Sequence, residues 1–310
     1  MQFDPHKVTF GRHESFALRF GWLTKGFQAL LADGDIFRRD EATVTLGVGK
    51  NMVHSIKYWL RATQVCTMNR EHGILPTEIG SAIFEGKGWD PYLEDEATIW
   101  LIHWLLATNY KEATAWYWFF NCFHKPEFKS KEAAASISDF GKDNIETKFS
   151  VTSAKQDVAV LLRMYTQSKG STKIPAEEAL DSPLSILKLI SYSSALKAYT
   201  SELSSRESLP IGILGYAISD LLINRGINEI PIEDLMYSRS YHVAPGSVFR
   251  LTENGLLTKL EQLVHYIPET FKIDDTAGIH QLYCLRAINP FEYLVKHYSE
   301  IRFSKKLQQA

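Results

Sequence analysis

The 25-residue stretch from Ile99 to Phe123, IWLIHWLLATNYKEATAWYWFFNCF, constrains the fold more than any other part of the chain. A membrane span needs about 20 predominantly apolar residues. Here His103, Asn109, Lys111 and Glu112 interrupt the run, which therefore reads as two helices meeting at Asn109 and packed as a buried hairpin. Glu94-Asp95-Glu96 supplies the negative charge that suits a helix N-terminus. Trp100, Trp104, Trp116, Tyr117, Trp118 and Phe119 are assigned to the core, with base stacking as the alternative use of such rings. A hairpin this apolar must be covered by other amphipathic elements. The expected fold is mainly α.

Asp40–Ala62, DEATVTLGVGKNMVHSIKYWLRA, reads as a short helix, a tight Gly47-Val48-Gly49 turn and a longer helix from about Lys50. At 3.6 residues per turn, Lys50, His54, Lys57 and Arg61 fall within about 60° of one another. Met52, Val53, Ile56, Trp59 and Leu60 occupy the other side. Such a helix can lie against DNA or be an ordinary surface helix with a solvated basic face. GVGK is no nucleotide loop. A Walker loop needs GxxxxGK followed by Ser or Thr, and position 51 is Asn.

The surrounding segments extend this reading. Residues 14–31 carry Phe16, Phe20, Leu23, Phe27, Leu30 and Leu31 at helical spacing, with Gly21 and Gly26 as weak points where the helix could divide. After the basic helix, Gln64–Met68 and Ile74–Pro76 read as a β-hairpin, and Thr77 as the N-cap of EIGSAIF. Helices are expected at 130–140 and 152–167, and SKGSTK at Ser168–Lys173 is the candidate linker. Leu209–Asn224, Pro231–Tyr237 and Thr252–Tyr266 read as helices, followed by strands at Phe271–Ile273 and Ile279–Leu285. The expected architecture is two winged-helix-like units flanking an aromatic-rich helical middle, with few short β-hairpins. Its divisions are 1–89 as the DNA-binding unit, 90–167 as the middle and 174–310 as the second winged unit.

Net charge is −2, so the chain as a whole does not advertise nucleic acid. Residues 1–75 are the only net basic section, with 10 Lys and Arg against 7 Asp and Glu. Cys66, Cys122 and Cys284 lie far apart without a ligand pattern, which points to a reduced, cytoplasmic protein lacking structural zinc. MQFDPHKVTF has no apolar core, so no signal peptide is expected. The nuclease-like Glu-x-Lys pattern occurs at Glu85/Lys87, Glu127/Lys129 and Glu146/Lys148, no more than its short length allows by chance. Arg12-His13-Glu14 can be read in two ways. An imidazole beside a carboxylate can serve phosphodiester cleavage. Equally, Glu14 can mark a helix start with His13 as a cap.

Arg12–Phe27 (RHESFALRFGWLTKGF), Leu46–Leu60 (LGVGKNMVHSIKYWL), segments within Leu75–Leu106, and Pro245–Leu256 (PGSVFRLTENGL) resemble the SspB-type proteins of bacterial phosphorothioate DNA-modification and antiviral defence systems. The resemblance implies an endonuclease that nicks double-stranded DNA. Its partners would be a cysteine desulfurase, an ATPase and an ATP-pyrophosphatase-like protein that install sulfur, with no membrane involved and a homodimer left open. The matching positions suited to catalysis are His13, Glu14, Arg19 and Asn51. Those suited to holding DNA are Arg12, Lys25, Lys50, His54, Lys57 and Arg61. In that scheme Glu14 binds Mg²⁺ or orients water, His13 transfers a proton, and Arg19 or Lys50 stabilises added charge. A non-catalytic adaptor recruiting the sulfur-transfer enzymes and an operator-binding regulator remain alternatives.

Overall fold

The computed structural model describes residues 2–167, 182–276 and 279–308; the candidate linker Ser168–Lys173 lies outside the described residues. The chain divides into two compact units. The first comprises Asp4–Phe119 and Phe123–Glu202, and the second gathers Leu203 onward with pieces at Phe3 and Phe120–Cys122. The structure is about half helical with small antiparallel sheets.

The first unit opens with α1 (Trp22–Ala32), α2 (Ala42–Leu46) and α3 (Lys50–Ala62), then the hairpin β1 (Cys66–Asn69) and β2 (Gly73–Pro76), and α4 (Glu78–Phe84). The Gly47 turn and the helix from Lys50 stand where the sequence puts them. The hairpin pairs Cys66 with Pro76 and Asn69 with Gly73, and the Thr77 side chain accepts the Gly80 amide hydrogen bond. Gly80 is required by close approach, because a Cβ there would stand 2.0 Å from the Val65 carbonyl oxygen and 2.9 Å from the Phe27 ring. Gly80→Ala is therefore expected to cost about 1–3 kcal/mol, read by urea unfolding.

The expected helix over residues 14–31 is corrected. Its first half is turn and extended chain, because Glu14 (φ 50°) and Ser15 (φ 65°) adopt left-handed backbone conformations that no right-handed helix can contain. Gly21 at φ 76° then resets the chain, and α1 starts at Trp22.

The aromatic run forms two helices, α5 (Glu96–Thr108) and α6 (Thr114–Asn121), with Asp95 capping α5 through the Ala97 amide and Asn109 as its C-cap. Trp59, Trp100, Trp104 and Trp116 are completely buried, and Trp59 meets Trp116 edge-on at 5.3 Å. That geometry suits two ring quadrupoles and adds to the hydrophobic gain. The expected helices at 130–140 and 152–167 are α7 (Ser130–Asn144) and α8 (Val151–Tyr165). A three-stranded sheet not expected from the sequence orders β3 (Glu127–Phe128), β5 (Ala198–Thr200) and β4 (Ser191–Ser193) as β3-β5-β4.

The second unit runs α9 (Ile211–Arg225), β6 (Glu229–Pro231), α10 (Ile232–Met236), α11 (Pro245–Val248), α12 (Glu253–Tyr266), β7 (Phe271–Thr276), β8 (Ile279–Cys284) and α13 (Pro290–Gln308). Its sheet order is β6-β8-β7, with Phe271 opposite Cys284. Lys259, the single cation of α12 apart from His265, is buried and donates to the Leu209 carbonyl at 2.8 Å. No helix among the described residues is long and apolar enough to cross a membrane. All three cysteines are free, and burial pushes the thiols of Cys66 and Cys122 up to about 12.

Candidate functional site

Helix α3 sets the site because its two faces meet different environments. Val53, Ile56, Trp59 and Leu60 are buried, while Lys50, Asn51 and His54 are exposed and Lys57 and Arg61 are half-buried. The cap of the helix C-terminus is long-range. The Asn109 amide donates to the Arg61 and Ala62 carbonyls at 3.2 and 3.0 Å, satisfying groups that a helix end leaves unpaired.

Gly11–Ser15 lies against this helix as a tight turn tied to α8. His13 is 0% exposed, its ring parallel to Trp59 at 6.1 Å and edge-on to Tyr58 and Trp116 at 6.0 Å. The Ser15 amide donates to His13 Nδ1 at 3.1 Å, so the network assigns the ring hydrogen to Nε2. Nε2 stands 2.9 Å from Asp157 Oδ1, which also accepts from the Gly11 amide at 2.9 Å. Asp157 Oδ2 has no hydrogen-bond partner among the described residues, and burial raises the carboxyl's pKa above its ordinary range despite His13 and Gly11. Gln156 binds the Ser15 hydroxyl, and Arg163 donates to the Ser15 carbonyl at 3.0 Å. These bonds hold Glu14 and Ser15 in backbone conformations that cost energy.

The turn and helix enclose a cleft of about 400 Å³ lined by Thr9, Arg12, Glu14, His54, Lys57, Tyr58, Arg61 and Glu112. Five of the residues expected to act on DNA thus converge: Arg12, Glu14, His54, Lys57 and Arg61. Arg61 is ion-paired with Glu112. Arg12 and Lys57 have no ion-pair partner among the described residues, and burial lowers the Lys57 pKa, aided by Arg61 and Arg38. Burial also raises the Tyr58 hydroxyl well above its ordinary value, with Asp157 and Glu112 adding to the effect, so it stays protonated and able to donate.

The other expected residues stand elsewhere. His13 is beneath the cleft, and Lys50 and Asn51 lie toward the start of α3 outside its lining. Lys25 donates to the Leu46 carbonyl at 3.1 Å. The Arg19 guanidinium lies 5.8 Å from the Phe16 ring centroid and 5.2 Å from that of Trp22, a cation–π arrangement. Sequence reasoning missed Thr9, Tyr58, Glu112 and the supporting Asp157. Tyr58 could have been read, since it is one helical turn after His54. Asp157 could not, because 144 residues separate it from His13.

Among the described residues no three His, Cys, Asp or Glu side chains gather into a metal cage. Within the cleft Glu112 is committed to Arg61, leaving Glu14 beside cations. Mg²⁺ keeps most of its octahedral oxygen shell as water and substrate phosphate and takes only one or two carboxylates from a protein. Glu14 is the cleft carboxylate without an ion-pair partner among the described residues.

A family model described as a protein of unknown function, DUF4007, matches residues 10–298. The chain is similar to a magnesium ion-bound SspB crystal structure, with a TM-score of 0.82 and 27% identity over 95% of this chain and 89% of that one. It is similar to a second SspB crystal structure, with a TM-score of 0.83 and 26% identity over 96% and 91% of the two chains. No curated protein matches the sequence.

Proposed function

The chain belongs to the DUF4007 family and is SspB-like, and from that premise we propose that it grips and nicks DNA within a phosphorothioate modification and defence system. One observation carries the reading: Arg12 and Lys57, two cations without ion-pair partners among the described residues, share a cleft with a protonated Tyr58 hydroxyl. A phosphodiester offers the anionic oxygens such groups lack. The series α1, α2, α3 and the β1–β2 hairpin is read as a winged-helix-like DNA-binding unit within residues 1–89, with Lys50 and Asn51 continuing the contact along α3. The second unit, whose Lys259 is spent internally, is read as scaffold.

In this reading Arg12 and Lys57 hold the phosphate and offset the charge gathering on its oxygens, while Tyr58 donates a hydrogen bond. Glu14 orients and deprotonates the attacking water, and His54 delivers a proton to the leaving oxygen. The P–O bond to that oxygen breaks as water's oxygen bonds to phosphorus. His13, being buried, acts by positioning, since it fixes the turn that presents Arg12 and Glu14. Arg12 takes the charge-stabilising part expected of Arg19 or Lys50. No step is routed through a metal. The sulfur-installing desulfurase, ATPase and pyrophosphatase-like enzymes are the proposed partners.

Supercoiled plasmid relaxation tests this, with and without Mg²⁺ and those partners. Wild type is expected to nick, and Glu14→Ala to reduce nicking by roughly 10²-fold or more, in line with the loss of a positioned general base, while DNA binding persists. Equal nicking by Glu14→Ala removes Glu14 from the chemistry. The lack of an acidic cluster among the described residues favours one second reading, a non-catalytic adaptor. Protein that shifts DNA but never nicks it, even with every partner added, selects that reading.

A further inference from the structure

A second cavity of about 190 Å³ borders the cleft, and Thr9 and Arg12 line both. Lys148, Ser150 and Ser153 form much of the rest of its polar lining. The lining contains two cations, three hydroxyl side chains and no carboxylate. Lys148 is exposed and makes no ion pair among the described residues. The acid two positions before it, Glu146, faces His6 at 3.4 Å instead. The walls are firmly set: the Phe10 and Phe149 rings pack at 5.7 Å, and the Phe149 ring occupies the space a side chain at Gly141 would need. Ser150 Oγ accepts the Ser153 amide at 3.2 Å, which leaves its own hydrogen available to donate into the cavity.

We propose that this cavity is a second phosphate site, which takes a phosphodiester neighbouring the one in the main cleft, with Arg12 shared between the two. Two cations and three hydroxyl donors with no carboxylate among them suit an anion, and the common border at Thr9 and Arg12 makes the two pockets one continuous track rather than separate sites. A continuous polyanion fits that track better than an isolated ion. Backbone contacts fix register and carry no sequence information, so the pair of sites would set where along a strand the cleft stands. The proposal rests on the reading of the main cleft as a DNA site.

The test is the slope of log Kobs against log salt for duplex DNA, measured with the full chain as wild type, Lys148→Gln, Lys148→Arg, Lys57→Gln and Lys155→Gln. Lys155, on α8 and also exposed, lies outside the cavity lining and serves as the charge control. Lys148→Gln is expected to make the slope shallower by about 0.9, the effect of one lost phosphate contact. Lys148→Arg should retain the slope, and Lys155→Gln should leave it unchanged. Equal flattening by Lys155→Gln and Lys148→Gln would show diffuse charge and overturn the proposal. An unchanged slope in Lys148→Gln while Lys57→Gln flattens overturns the second site and leaves the main cleft standing. Unchanged slopes in both overturn both readings. Inorganic phosphate as competitor separates the sources: if Lys148→Gln alters only that competition, the cavity binds free anion and the strand-tracking proposal fails.

Discussion

Exchanging Arg12, Lys50 and Lys57 together for glutamine is expected to make the log Kobs against log salt slope for duplex DNA shallower by about 2.7, three lost contacts at roughly 0.9 each. Between 50 and 200 mM salt, the wild type should therefore lose about fortyfold more affinity than the triple variant. Arg12 and Lys57 enter this set because they line the cleft without ion-pair partners among the described residues, and Lys50 because it is exposed on the same helix face. Arg61 is left intact, since removing it would strand Glu112. Fluorescence anisotropy across a salt series gives the slopes directly. A triple variant whose slope matches wild type would mean that DNA does not lie along α3.

Asp157→Ala is expected to destabilise the chain by about 3–5 kcal/mol, near the upper end for a single substitution. The change strands the Gly11 amide and His13 Nε2–H in a site where water cannot replace the lost acceptor. Asp157→Asn should be far milder, because its carbonyl can accept both bonds and no charge is buried. The pH dependence separates these effects. Burial raises the Asp157 pKa above the ordinary 3.8, so the folded state holds that proton more tightly than the unfolded chain. Its stabilising contribution is complete below the unfolded value and is lost as pH rises through the folded one. Wild type should therefore show this loss on the high side of 3.8, and Asp157→Asn should not. Urea unfolding across pH reads both outcomes, and identical pH profiles for the two proteins would remove Asp157 as their source.

The legible parts of this chain are those governed by neighbours in sequence. The α3 stripe, the Gly47 turn, the Thr77 cap and the two aromatic-rich helices meeting near Asn109 each follow from spacing of a few residues, and each stands as read. The segment from Glu14 to Phe20 has helical spacing too, yet its conformation is dictated by Asp157, Gln156 and Arg163 on a distant helix. Periodicity cannot register that override. The β3-β5-β4 sheet escaped for a different reason, since strands of two or three residues are too short for alternation to emerge. At the site, the cationic face was visible, but its enclosure by Thr9 and Glu112 was not. His13 shows the limit most clearly: residue type suggested proton transfer, while its complete burial depends on distant residues and could not be read from its neighbours.

The high thiol pKa values of Cys66 and Cys122 bear on division of labour. A persulfide relay requires a thiolate that can attack and then release sulfur. Thiols held at about 12 remain almost wholly protonated at neutral pH, and Cys66 is buried as well. Their raised pKa values make both poor candidates for passing a sulfur atom onward. If the chain holds DNA as proposed, any sulfur destined for that backbone would have to bypass these two thiols and come from Cys284, which is free and half-buried, or from another protein.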